Sequence, residues 1–188
     1  MARAKSPEKR QAILQAAARE IAASGLGAST AKIAKSADLA EGTLFTYFPT
    51  KDELLNELYL ELKGEAYRRI NAEFPYKAAL RERARHIWTE YLSWAIDRPE
   101  ERRASVQLNV SDVVTAATRE RIGSQRGALE QTMNEVETRG VFKELPAGFA
   151  SSAMAAMQEA VMDTVARKPR QRALLVEKGF EAFWRMAK

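Results

Sequence analysis

Apolar residues recur at three- and four-residue steps along almost the whole chain, and no stretch of useful length alternates as a half-buried strand would. The six prolines, Pro7, Pro49, Pro75, Pro99, Pro146 and Pro169, all fall where that pattern breaks. Proline has no amide donor and clashes inside a helix, so it gathers at first turns and connections. The pattern predicts an all-α chain with no repeat and no low-complexity tract.

The first helix is expected to open at Ser6-Pro7-Glu8, with a hydroxyl cap, a proline and an acid in its first turn. Its buried stripe is Ile13, Leu14, Ala17, Ala18 and Ile21, and it stops at Ser24-Gly25. Two short helices follow at 29–36 and 40–47, then a longer one at 51–70 capped by Thr50. Further helices are expected at 77–96, 99–110, 113–138, 147–166 and 170–187. The 77–96 helix carries Leu80, Ala84, Ile87, Trp88, Tyr91 and Ala95 on one side.

Composition removes several function classes. A chain of 188 residues without cysteine and with a single histidine, His86, has no thiol nucleophile, disulfide scaffold or cysteine-ligated zinc. It also lacks a glycine-rich phosphate loop and any metal-ligand spacing, so neither an enzyme nor a cofactor is expected. No apolar run reaches the length of a membrane span, and the opening MARAKSPEKR lacks a signal peptide's apolar core. A soluble, cytoplasmic protein without a membrane partner is expected. Of the net charge of +5, most lies in the first quarter: residues 1–51 hold eight Lys/Arg against four Asp/Glu. A basic module on a near-neutral body suits a polyanion met at one end, and equally a solubilising basic N-terminus.

Residues 29–48 read STAKIAKSADLAEGTLFTYF. Ser29 can cap a short helix whose inner face is Ile33, Ala34 and Ala37. Asp38-Leu39 is a tight turn, because aspartate tolerates the left-handed conformation better than most side chains and Leu39 plugs the angle. The second short helix buries Leu44 and Phe48 and shows Glu41, Gly42, Thr43, Thr46 and Tyr47 outward. A small, hydroxyl-rich face of this kind suits a DNA major groove. Gly42 costs a helix about 1 kcal/mol against alanine, which invites a reason such as close backbone approach.

The run IAKSADLAEGTLFTYFPTKDELL resembles the signature of the TetR (tetracycline repressor) family. The Ile-Ala pair, Gly-Thr-Leu-aromatic, Tyr-Phe, the lysine three residues after Phe48 and the Leu-Leu pair stand in register over about residues 7–58. Two positions depart: Asp38 replaces the usual turn glycine, and Ala40 replaces the usual hydroxyl cap. The resemblance implies a homeodomain-like three-helix helix-turn-helix at 1–50, followed by a helical effector-binding and dimerisation domain at 51–188. It implies a repressor that binds a (pseudo)palindromic operator in double-stranded DNA as a homodimer and is released by a small-molecule effector.

Residue roles follow from the same resemblance. Ser29 and Thr30 meet a phosphate at a helix N-terminus, Thr43 faces bases, and Tyr47 and Lys51 hold phosphates. Glu41 and Thr46 are further contacts. Lys32 and Lys35 flank the second helix, and Arg3 and Lys5 form an arm that can reach a minor groove or simply aid solubility. In the body, Trp88, Tyr91, Trp94, Phe142 and Met154 are the candidate pocket, with His86 or Gln107 as polar anchors, although an aromatic core explains the same residues. Small residues Ala153, Ala156, Met157, Ala160 and Val161, with Leu174, Val176, Phe180, Phe183 and Trp184, suit a four-helix dimer bundle or an internal core. The rival class is a helical protein-interaction adaptor without DNA binding, which would not need Thr43, Tyr47 and Lys51 on one surface.

Overall fold

The computed structural model describes residues 5–188, and among them every regular element is helical. In chain order these are α1 (Pro7–Ser24), α2 (Thr30–Ser36), α3 (Glu41–Tyr47), α4 (Lys51–Asn71) and α5 (Leu80–Asp97). They are followed by α6 (Pro99–Asn109), α7 (Ala116–Gly123), α8 (Ala128–Glu137), α9 (Phe149–Arg167) and α10 (Arg172–Met186). Short 3-10 turns at Gly140–Glu144 and Pro169–Gln171 precede α9 and α10. No helix among the described residues is long and apolar enough to cross a membrane.

The chain forms two compact units. The first takes the chain up to Gly64 together with Arg98–Gly123, and the second takes Glu65–Asp97 and Ser124–Lys188. In the first, the Ser6 hydroxyl accepts from the Lys9 amide at the start of α1, with Pro7 at the first position, as expected. The α1 stripe is wholly buried. It packs on α2 and also on α6, where Gln107 Nε2 donates to the Ile21 carbonyl at 3.2 Å. Gln107 is thus a structural tie of the first unit and does not anchor a pocket in the body, a correction to the sequence reading.

A second correction concerns 113–138, expected as one helix and found as two. Gly127 has φ +49, and a residue in that left-handed region cannot continue a right-handed helix. The remaining boundaries move by up to three residues, most at α5, whose start waits for the turn in which Ala78 N–H bonds the Pro75 carbonyl.

The second unit has one aromatic-rich core. Trp88 stacks on Phe183 with centroids 6.3 Å apart, Phe142 meets Phe183 at 5.6 Å, and the Trp88 indole N–H donates to the Val176 carbonyl at 2.9 Å. Gly179 makes this packing possible: a Cβ there would lie 2.7 Å from Val161 Cγ2 and 2.8 Å from Trp88 Cζ2. Gly179→Ala is expected to destabilise by about 2 kcal/mol, the usual cost of overpacking a filled core. Thermal unfolding checks this, and an unchanged melting temperature would contradict the close approach of α10 to α5 and α9.

Arg83 clasps Glu135 with both terminal nitrogens, and the guanidinium holds that carboxyl below the ordinary carboxylate range. The sign follows from the lowered pKa. The pair's small contribution is complete above the ordinary range and is lost as pH falls through the lowered value.

Candidate nucleic-acid interface

The site is built by α2, the turn after it, α3 and the first turn of α4. Ser29 caps α2, its hydroxyl accepting from the Lys32 amide at 3.2 Å. Asp38 has φ +55, the left-handed conformation the sequence calls for, and the Leu39 amide reaches back to the Ala34 carbonyl at 3.0 Å. α3 hangs on Leu44 and Phe48, which are 0% and 2% exposed. Ala40 supplies no side-chain cap, and Asp38 does not take its place. Thr50 does cap α4, accepting from the Glu53 amide at 3.1 Å.

Several of the expected contact residues are held in place before any partner arrives. Thr30 Oγ1 donates to Glu41 Oε1 at 2.6 Å, tying the N-terminus of α2 to that of α3. The Tyr47 hydroxyl oxygen accepts from the Ser6 amide at 2.9 Å, which leaves its own proton to donate. Lys51 Nζ donates to the Leu26 carbonyl at 2.7 Å, using one of three ammonium protons. Thr46 Oγ1 donates to the Gly42 carbonyl at 3.1 Å, and Thr43 is half-buried beside it. A Cβ at Gly42 would meet nothing within 4 Å, so nothing within the chain requires glycine there.

Of the flanking cations, Lys32 is engaged by Glu20 at 2.9 Å and Ser24 at 3.2 Å, whereas Lys35 is exposed. Lys5 lies 5.9 Å from the centre of the Tyr47 ring, and Arg3 lies outside the described residues. Sequence reasoning passed over Phe45, a 40% exposed ring on the outer side of α3. The signal was present: Phe45 falls one position off the Leu44–Phe48 stripe, where an apolar residue has no core to enter.

The body residues separate differently. Trp88, Trp94, Phe142 and Met154 are buried in the second unit's core, and Tyr91 packs half-buried against it, its ring 5.9 Å from Trp94. The His86 ring N–H donates to the Ile70 carbonyl at 2.9 Å. A groove of about 530 Å³ lies elsewhere on this unit, between Arg85–Ile96 of α5 and Arg170–Glu177, and none of the five expected pocket residues lines it.

Two short helices joined by a left-handed aspartate turn and packed on a longer first helix, with a small-residue face on the second and a lysine opening the next, define a helix-turn-helix protein with a helical body. Residues 13–58 match the model for bacterial regulatory proteins of the tetR family. A tetR-family transcription regulator from Shewanella sp. PV-4 is 27% identical, with a TM-score of 0.80 over 94% of this chain and 96% of that one. The fatty acid metabolism regulator protein of Bacillus subtilis (strain 168) is 33% identical over 82 residues, a match spanning 43% of this chain and only 42% of that relative. The B. subtilis FadR structure in complex with stearoyl-CoA shares the fold at 20% identity, with a TM-score of 0.69 over 92% and 96% of the two chains. The chain therefore carries a tetR-family segment at residues 13–58 and shares the fold of a tetR-family transcription regulator.

Proposed function

We propose that the protein is a cytoplasmic transcriptional repressor that binds a (pseudo)palindromic operator as a homodimer and lets go when a small-molecule effector occupies its body. In this reading residues 1–50 carry the DNA-contacting helices, and residues 51–188 carry the effector site and the dimer face. The observation that supports it is the exposed Gly42 and Thr46 of α3 together with the Tyr47 hydroxyl and Lys51 ammonium, which Ser6 and Leu26 hold while leaving protons to donate; Ser29, Thr30 and Thr43 complete the reading. Tyr47 and Lys51 then hold phosphates, while Thr43 and Phe45 bring a methyl group and a ring to the thymine methyls of the groove. Glu41, pinned by Thr30, accepts from a cytosine amino group or repels wrong registers.

Dimerisation is supported by α9, which has two apolar sides. Met154, Val161, Met162 and Val165 face the core, so Val161 is not part of an outward face, and Ala153 and Met157 pack half-buried against that core, while Ala156 and Ala160 stay exposed. Small residues on an outward helix face allow a second helix to approach closely, and the 54% exposed Leu174 adds apolar surface on α10. An effector within or beside Trp88, Tyr91, Trp94, Phe142 and Met154 would meet an apolar environment. The relative named for fatty acid metabolism supports a molecule of that character.

A salt titration of binding to random duplex DNA tests the reading. Binding that falls steeply with salt is expected, and a protein-only adaptor shows no such slope. Gly42 offers a sharper check. Gly42→Ala is expected to stabilise the free protein by up to about 1 kcal/mol, because the new methyl group meets open space. It is expected to weaken operator binding by roughly tenfold, because that space is where the groove must fit. Melting and binding that improve together would show that α3 does not enter the groove at Gly42.

A further inference from the structure

The groove between α5 and the start of α10 has an apolar part and a charged part. Leu92, Ile96, Ala173 and Val176 supply the apolar lining. Leu92 and Ile96 lie one helical turn apart, about 5.4 Å, and Ala173 and Val176 lie about 4.5 Å apart along their own axis. The apolar lining is therefore about one turn long on each helix. That is short for an extended acyl chain and suits a compact, rigid body. The volume of about 530 Å³ falls among those of small-molecule sites.

Four charged side chains also line the groove, and all but one are balanced. Arg85 pairs with Glu177, and Arg172 Nη1 donates to Asp97 Oδ1 at 2.7 Å. Arg170 is left over: it is exposed, and its guanidinium has no hydrogen bond or ion pair among the described residues. Arg172 also keeps Nη2 as a free donor beside it. The two hydroxyls of the lining are already engaged. Thr89 Oγ1 donates to the Arg85 carbonyl at 3.0 Å, and Ser93 Oγ accepts from Arg69 at 3.3 Å. Polar recognition thus falls to the guanidinium groups. One unbalanced positive charge beside an apolar wall favours a guest with one negative charge on an apolar body, because the wall weakens solvent screening.

We infer that this groove binds a small amphipathic anion, a compact aromatic body bearing a single carboxylate or sulfonate. The acid meets Arg170 and the free edge of Arg172, and the rings lie against Leu92, Ile96 and Val176. The site is separate from the core residues assigned to the effector above, and it stands whether or not they take one.

The test uses the full chain and two dyes that share one body. 1-Anilinonaphthalene-8-sulfonate carries the acid, N-phenyl-1-naphthylamine lacks it, and both brighten in apolar surroundings. The parent is expected to bind the sulfonate at one site per chain, roughly fivefold more tightly than the neutral dye, the upper reach of a solvent-exposed ion pair. Arg170→Gln is expected to erase that difference while neutral-dye binding stays unchanged. Ala173→Glu sets a carboxylate on the lining in the first turn of α10, where a helix favours an acid, and should weaken the sulfonate at least as much. Arg167→Gln/Lys168→Gln removes two exposed cations that do not line the groove, and both affinities should hold. All four positions are exposed, so each variant should melt close to the parent. Equal affinity for the two dyes in the parent, or no sulfonate binding, would overturn the inference. So would a loss in the Arg167/Lys168 variant as large as in Arg170→Gln, which would mean diffuse basicity. Sulfonate binding that survives both Arg170→Gln and Ala173→Glu would place the dye elsewhere and overturn it as well.

Discussion

Gly140→Ala is expected to cost about 4 kcal/mol and to lower the melting temperature by about 10 °C for a chain of this size. Two causes add. Gly140 has φ +50, a conformation that costs an L side chain roughly 1–2 kcal/mol. Its Cβ would also lie 2.2 Å from the Met186 carbonyl oxygen and 2.8 Å from the Ala187 carbonyl carbon. Both neighbours are backbone, so no side-chain rotation relieves the overlap; the turn or the end of α10 must move. Gly148 separates the two causes, because it has φ +86 but nothing within 4 Å of its Cβ position. Gly148→Ala should therefore pay only the conformational part. Equal melting of the two variants would mean that the Gly140–Glu144 turn does not seat against the end of α10.

Lys51→Ala is expected to weaken binding to every DNA sequence by roughly tenfold and to lower the salt slope by about one unit. The Leu26 carbonyl fixes the ammonium group at 2.7 Å and leaves two protons for a phosphate. Truncation thus removes both a charge and the post that aims it. Because phosphates look alike in every sequence, the loss should be equal on operator and random duplexes. Thr43→Ala should behave differently, relaxing preference at one operator base pair while leaving the salt slope alone. The check is a set of salt titrations on both DNAs for both variants. An identical pattern of losses would overturn the division between the residue that positions and the residue that reads.

The local chemistry of the DNA-binding end was readable from the residues themselves. Ser6, Ser29 and Thr50 cap the helices they precede, and Asp38 takes the left-handed turn. Ala40 leaves α3 uncapped, as its missing hydroxyl requires. Each of these outcomes depends on neighbours a few residues away. The pairing of Thr30 with Glu41, of Tyr47 with Ser6 and of Lys51 with Leu26 depends on helices folding against one another, and no spacing rule announces it. The same limit governs Gln107, whose partner Ile21 is 86 residues away. The break at Gly127 was hidden for the opposite reason. Local pattern favoured continuity, and the interruption is the four-residue connection 124–127 that ends in the positive-φ Gly127.

The way α3 is attached has a consequence for how such a protein changes over generations. Two side chains, Leu44 and Phe48, sink this seven-residue helix into the core. Gly42, Phe45 and Thr46 stand outward, and the bond from the Thr46 hydroxyl to the Gly42 carbonyl stays within the helix. Those three positions can be rewritten with little penalty to folding. A lineage could therefore alter the outward face of α3 by a few substitutions while the scaffold, the Tyr47–Ser6 and Lys51–Leu26 bonds and the body remain as they are.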